Sequence, residues 1–310
     1  MTVRLGGIWP AMLTPIGADG RVDLAACERL VDLFVSQRLG GIYVVGSTGQ
    51  WPLFEVAERK EIAACVVRAA GGRIPVMVHV GAMTTADAVT LAEHAGRIGA
   101  AAVSAVGPTY YPYPAEAIFD YYRRIAAVGL PLFTYHLSGV TRMGLGPREY
   151  AERLLAIPNI AGMKITDHDL YSFGLIHSVA GERLRLFSGA DELMCHAVLS
   201  GACGAIGTFY NLWGPACRAA RAATEAGDMT TARDFMLRFQ SAIAEVLAGG
   251  LWSFLRAAMA RKYGIDVGMP RHPLGAGDGS WDEAAVERLI ARVDGLDEAA
   301  VSSPTVGPSR

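Results

Sequence analysis

The sequence has no Cys-x-x-Cys pair, no His-Glu-x-x-His run and no glycine-rich dinucleotide loop after its first strand candidate. Each absence removes a function class. The seven histidines show no metal-ligand spacing, and no carboxylate cluster demands a divalent ion, so no metal and no cofactor are expected. The five cysteines, Cys27, Cys65, Cys195, Cys203 and Cys217, are odd in number and scattered. They read as free, mostly buried thiols in a reducing compartment. Charge bias is also missing: 28 basic residues stand against 30 acidic ones, with no basic stripe. Nucleic acid is therefore a poor partner. No uninterrupted run approaches the roughly 20 apolar residues of a membrane helix. The opening stretch MTVRLGGIWPAMLTP lacks the apolar centre of a secretion signal. The reading is a soluble cytoplasmic protein with no nucleic-acid or membrane partner.

What is present is a repeated unit. Eight brief β-rich runs occur at 7–15, 41–47, 75–81, 101–107, 131–136, 160–166, 184–190 and 204–210. Amphipathic stretches alternate with them. In 23–38, for example, Leu24, Cys27, Leu30, Val31 and Phe34 share one helical face. Strands alternating with helices imply a parallel sheet, and eight such units point to a closed (β/α)8 barrel of the TIM type. An open doubly wound sheet is the rival, and the lack of a dinucleotide loop counts against it. After residue 212 the strands stop. Helices are expected at 215–227, 229–249, 251–264 and 280–296. The division expected is a barrel over 1–225, a C-terminal helical extension over 226–296 and a disordered tail over 297–310.

One residue breaks the apolar pattern of the sixth strand. Lys164 lies in IAGMKIT, and lysine is almost never fully buried without a partner. With a period of two, Ile160, Gly162, Lys164 and Thr166 share one face, while Ala161, Met163 and Ile165 share the other. The second face suits helix packing, so Lys164 should point into the barrel. It is either a structural cation, paired or phosphate-binding, or a nucleophile. Desolvation disfavours an ammonium, and a free amine attacks carbonyls to form Schiff bases.

Barrel active sites lie at the C-terminal ends of the strands. There the sequence offers Ser47 and Thr48, Tyr110 and Tyr111, Thr134, Tyr135 and His136, Thr166, Gly189, Asp191 and Glu192, then Thr208, Tyr210 and Asn211. Tyr135 could relay protons or merely cap the core. Ser47 and Thr48 could cradle a carboxylate or be ordinary turn residues. Asp191 and Glu192 could accept polyol hydroxyls or cap the next helix.

The motifs GSTGQ (46–50), GPTYYPYP (107–114), YHLSG (135–139) and GMKITDHDL (162–170) occur in this order on strands 2, 4, 5 and 6. In this the chain resembles the N-acetylneuraminate lyase and dihydrodipicolinate synthase family of pyruvate-dependent class I aldolases, from about residue 6 to about 265. The resemblance implies that Lys164 forms the Schiff base and Tyr135 transfers protons. It implies that Ser47 and Thr48 hold the pyruvyl carboxylate, with Ser47 also in a hydroxyl relay. Tyr110 corresponds to a tyrosine lent across a subunit interface, and the family is usually tetrameric. Thr166, Gly189, Asp191 and Glu192 match the sugar-binding group of the lyase branch, and Thr208 stands where serine is typical. Val140 stands where the synthase branch has arginine, with Arg142 nearby. Gln50 and Ser138 depart from the usual glutamate and proline. The implied reaction is reversible cleavage of a 2-keto-3-deoxy sugar acid to pyruvate and an aldehyde sugar. A related aldolase or dehydratase, dihydrodipicolinate synthase and a keto-acid-binding sensor are the alternatives.

Overall fold

The computed structural model describes residues 5–141 and 144–295. Arg142 and the tail at 297–310 lie outside the described residues. Eight parallel strands are present: β1 (Gly7–Pro10), β2 (Ile42–Val44), β3 (Val76–His79), β4 (Ala102–Val106), β5 (Leu132–Leu137), β6 (Ile160–Thr166), β7 (Arg185–Ser188) and β8 (Gly204–Gly207). Each falls within, or nearly within, the run assigned from sequence. They pair in the order β1-β8-β7-β6-β5-β4-β3-β2. The ring closes between β1 and β2 through a parallel bridge, Ala11 to Tyr43, and the Met12 N–H donates to the Tyr43 carbonyl at 2.9 Å. This is a (β/α)8 barrel.

The outer helices are α1 (Leu24–Ser36), α2 (Val56–Ala70), α3 (Thr85–Arg97), α4 (Ala115–Ala126), α5 (Pro147–Leu155), α6 (Leu170–Ala180), α7 (Met194–Leu199) and α8 (Tyr210–Glu225). Short polar side chains start several of them. Asp23 accepts the Ala26 N–H, Thr84 the Asp87 N–H and Asp169 the Ser172 N–H. The helices α9 (Met229–Gly249), α10 (Leu251–Tyr263) and α11 (Glu283–Asp294) follow the barrel. Among the described residues no single helix is long and apolar enough to cross a membrane.

The last strand and first turn of α8 differ from expectation. β8 ends at Gly207, and Tyr210 and Asn211 belong to α8 rather than to the strand end. The helix starts at 210, not 215, and is broken at Trp213 (φ −115°, ψ 24°). Pro215 lacks an amide and crowds the preceding turn, so the apolar spacing restarts behind it. The break puts Trp213 to use. Its ring stacks on Phe209 at 5.7 Å and meets Phe239 of α9 and Phe254 of α10 at 5.9 and 6.0 Å. The C-terminal helices thus share the core of the barrel's last unit.

The barrel floor is aromatic. Trp9, Tyr43, Met77, Ala102, Phe133, Phe187 and Ile206 form a cluster separate from the helix-facing core. Phe187 meets Trp9 and Phe133 edge-on, each at 5.7 Å. The rings fit because glycines face them. A Cβ on Gly41 would lie 2.3 Å from Trp9, and one on Gly162 would lie 2.5 Å from Phe133 and 2.1 Å from the Arg185 carbonyl.

Two alanine substitutions should therefore have opposite signs. Gly162→Ala meets a backbone oxygen that cannot yield, and should destabilise by at least about 1–3 kcal/mol. Gly174→Ala lies inside α6 with nothing near its Cβ, and should stabilise by about 1 kcal/mol. Urea unfolding of both variants checks this; equal midpoints would refute the packing argument.

Candidate active site

The geometry starts at β6. Lys164 is 4% exposed, and its register partners are Tyr135 on β5 and Phe187 on β7. The inward face read from period two is correct. Its Nζ lies 4.4 Å from the Tyr135 ring centre and 4.7 Å from that of Tyr43. Among the described residues it has no ion-pair partner. Ring faces offer the ammonium a site in place of a carboxylate. The sequence reading missed Tyr43, although it lies on a strand whose inward parity was readable. Its phenol donates to Ser104 Oγ at 3.2 Å, and burial holds it well above the usual tyrosine range.

Tyr135 is buried, and its hydroxyl accepts a hydrogen bond from Thr166 Oγ1 at 3.3 Å. Lys164, Tyr135 and Thr166 are therefore brought together. Gly189 completes the group for a steric reason. A Cβ there would lie 2.0 Å from Thr166 Oγ1 and 2.9 Å from Lys164 Cε. The room it leaves is occupied by those two side chains, not left open.

His79 was not singled out by sequence. It is fully enclosed, edge-on to Tyr135 at 6.4 Å and tilted against Trp51 at 5.4 Å. Its Nε2 accepts the Val106 N–H at 3.2 Å. Burial, then the charges of Arg59 and Lys164, hold it well below the usual histidine range, so it is neutral. His136, by contrast, is paired with Ile165 in the register and turns outward. Its ring packs 5.8 Å from Tyr150 of α5, and Asp167 lies 3.8 Å from its Nε2.

On the other side of the mouth, Thr48 and Thr208 share a hydrogen bond of 2.7 Å, linking the loops after β2 and β8. Ser47 is exposed beside them. The turn they occupy is strained: Val45 (φ 55°) and Gln50 (φ 61°) both adopt left-handed conformations. Gln50 is buried, donates to the Thr14 carbonyl at 3.2 Å and accepts the Arg271 N–H at 2.9 Å.

Asp191 does not cap the helix that follows it. Its side chain is buried against Gly207, where a Cβ would lie 1.6 Å from Oδ1, and Oδ2 accepts the Phe209 N–H at 2.7 Å. Burial pushes its carboxyl up to about 7, against the pull of that N–H and of Lys164. Glu192 stays at the rim, 2.7 Å from Nε2 of His168, a partner that sequence did not reveal. Its carbonyl accepts from Gln240 of α9 at 2.7 Å. Tyr110 stands apart from the lysine cluster. It is 83% exposed, has φ 79°, and meets Tyr111 edge-on at 4.9 Å.

Comparison with known proteins finds relatives over nearly the whole chain. The N-acetylneuraminate lyase of Escherichia coli (strain SMS-3-5) is 32% identical over 280 residues, covering 90% of this chain and 94% of the relative. Among solved structures, the wild-type sialic acid aldolase of Ruminococcus gnavus superposes with a TM-score of 0.87 at 26% identity, covering 93% of this chain and 97% of that one. The N-acetylneuraminate lyase of Mycoplasma synoviae gives 0.83 at 26% identity, covering 94% and 97%. The model of the dihydrodipicolinate synthetase family matches residues 4–291, and the chain belongs to that family.

Proposed function

We propose that the chain is a Schiff-base aldolase that reversibly cleaves a 2-keto-3-deoxy sugar acid, N-acetylneuraminate or a relative, to pyruvate and an aldehyde sugar. The observation that carries the reading is a buried amine at the C-terminal end of the barrel with no ion-pair partner among the described residues, beside the phenol of its register partner Tyr135. The chain has three lysines. Lys262 is held by Asp294 at 2.6 Å, and Lys60 lies on α2. A form of the Ruminococcus gnavus enzyme is described as a catalytic lysine mutant, so that protein relies on a lysine.

In this reading the Lys164 amine adds to the C2 ketone, and loss of water leaves a protonated imine. Tyr135 takes the proton of the C4 hydroxyl. The C3–C4 bond breaks, its electrons pass into the imine, and the aldehyde departs from the resulting enamine. Protonation at C3 and hydrolysis release pyruvate and restore the amine. Ser47 and Thr48 receive the carboxylate. Thr166, Asp191, Glu192 and Thr208 face the hydroxylated tail, and Gly189 admits the lysine and threonine beside it. Val140, in the turn after β5, offers no guanidinium to a second substrate carboxylate, which favours a sugar acid over aspartate semialdehyde. The enzyme acts in the cytoplasm as a homotetramer, in which Tyr110 reaches a neighbouring site. Its exposed ring beside Tyr111 supports that placement, and a fully active 33 kDa monomer in light scattering would overturn it.

Borohydride reduction with pyruvate should add a three-carbon unit at Lys164, read by peptide mass spectrometry. Labelling at Lys60 or Lys262 would sink the assignment. A panel of keto sugar acids assayed for pyruvate release should show cleavage. Efficient condensation with aspartate semialdehyde, and no cleavage of any sugar acid, would reverse the choice of substrate.

Tyr135→Phe should keep the trapped adduct yet lose about 10²–10⁴-fold in turnover. A rate within about threefold of the parent would assign the proton transfer to another group.

Asp191 yields a pH prediction. Its folded-state value lies above the ordinary 3.8, so the native state holds the proton more tightly than the unfolded chain. The stability it contributes is full below about pH 4 and is lost as pH rises through about 7. Asp191→Asn should remove that slope. Melting temperatures of variant and parent should therefore diverge in the variant's favour between about pH 5 and pH 8. Parallel profiles would show that Asp191 keeps an ordinary acidity.

A further inference from the structure

Tyr43 lies in the middle of β2 and is fully buried. Its ring meets two parts of the mouth that belong to different elements. One is the amine: Lys164 Nζ stands 4.7 Å from the ring centre. The other is the turn that carries Ser47 and Thr48. A Cβ on Gly46, which opens that turn, would lie 2.3 Å from Tyr43 Cε1 and 2.8 Å from Cδ1. Glycine therefore lets the turn settle directly on the ring. The Gly46 carbonyl accepts the Trp51 N–H at 3.2 Å, so the turn is closed on itself at the same residue. The ring is moored at its far end. Its phenol donates to Ser104 Oγ of β4 at 3.2 Å, and burial holds it well above the usual tyrosine range, so it remains a donor. Ser104 is itself fully buried. The Tyr43 backbone is pinned as well, because the barrel closes there through Ala11 and the Met12 N–H. Packing of the floor accounts for bulk at this position. It does not account for one ring set against both a buried amine and the glycine of the Ser47 turn.

We propose that Tyr43 is a positioning residue that sets the separation between the carboxylate site and the amine. This rests on the reading above of Lys164 as the imine-forming amine and of Ser47 and Thr48 as the carboxylate site. In a 2-keto acid the carboxylate carbon is bonded directly to the carbon that the amine attacks. The two sites must therefore be matched across a single C–C bond, and a small error in their spacing slows the reaction steeply. Ser47 and Thr48 follow β2, whereas Lys164 lies on β6, on the opposite side of the ring of strands. No strand pairing joins β2 to β6. A rigid ring in contact with both supplies the missing spacer.

Two ketones compared on the full chain test this. Borohydride reduces the imine of either pyruvate or acetone to a stable secondary amine, and acetone lacks the carboxylate. The parent should be trapped at Lys164 faster with pyruvate than with acetone. Tyr43→Leu should lower that ratio of trapping rates about tenfold or more, by slowing the pyruvate reaction. Tyr43→Phe keeps the ring and should hold the ratio within about threefold of the parent. Gly46→Ala alters neither Tyr43 nor Lys164, yet its Cβ must displace the ring, so the ratio should fall as in Tyr43→Leu. Both rates are read on one preparation, so loss of folded protein cancels from the ratio. A ratio kept in Tyr43→Leu, or in Gly46→Ala where the leucine variant does not fold, would reduce Tyr43 to a packing residue and overturn the proposal. So would a ratio lost in Tyr43→Phe, which would assign the effect to the phenol rather than the ring. A parent that traps neither ketone at Lys164 would refute the aldolase reading itself, and the positioning role with it.

Discussion

The arrangement of the barrel mouth follows from one demand: an amine must sit 4% exposed at the end of β6 with no ion-pair partner among the described residues. The faces of Tyr43 and Tyr135 supply the nearest substitute for water. That choice fixes its neighbours. Position 189 can carry no side chain, because Thr166 and the lysine stem fill the space. Position 81 is glycine for a related reason: a Cβ there would lie 2.8 Å from His79 Nε2, and His79 backs the Tyr135 ring. A charged imidazole behind the amine would repel it. Full burial keeps His79 neutral, so the ring serves as packing and as an acceptor for Val106.

The barrel is therefore divided along its axis. Its floor is closed by Trp9, Phe133 and Phe187, all buried, which need glycines at 41, 162 and 204 to fit. Its mouth holds hydroxyls, a buried carboxyl and the amine. Gly162 and Lys164 are two residues apart on one strand, so a single inward face passes from dry floor to reactive mouth. The floor keeps β6 in register with β5 and β7, and that register sets Tyr135 opposite Lys164.

Much of this was legible in the sequence, for reasons that differ by element. Strand runs with a period of two declared which residues of β6 face inward, and Lys164 followed. Tyr135 followed because β5 precedes β6 and parallel neighbours pair end to end. The same parity could have excluded His136, whose register partner is the outward Ile165. What failed was local geometry at strand ends. Tyr210 and Asn211 read as strand because they continue an apolar run, but the chain turns at Thr208 and Phe209. Asn211 then bonds the Leu13 N–H and the Ala11 and Thr208 carbonyls from the first turn of α8. Asp191 read as a helix cap because caps are the common use of aspartate, while its real partner, the Phe209 N–H, is 18 residues distant. The pairing of Glu192 with His168, 24 residues away, was equally invisible.

Gln50 shows why a departure from a family pattern can be a fit rather than a loss. Its amide does two different things at once: it donates to the Thr14 carbonyl and accepts from the Arg271 amide. A carboxylate only accepts, so at this position it would face the Thr14 oxygen with like partial charge. The glutamine therefore ties the loop after β1 to the segment between α10 and α11 through the turn that carries Ser47 and Thr48. Only the backbone N–H of Arg271 meets position 50. Its guanidinium goes to Glu58 on α2, to the Leu53 carbonyl and over the Phe54 ring. The C-terminal segment is thus held at the barrel rim twice, by the Arg271 backbone N–H on Gln50 and by its guanidinium on Glu58 of α2.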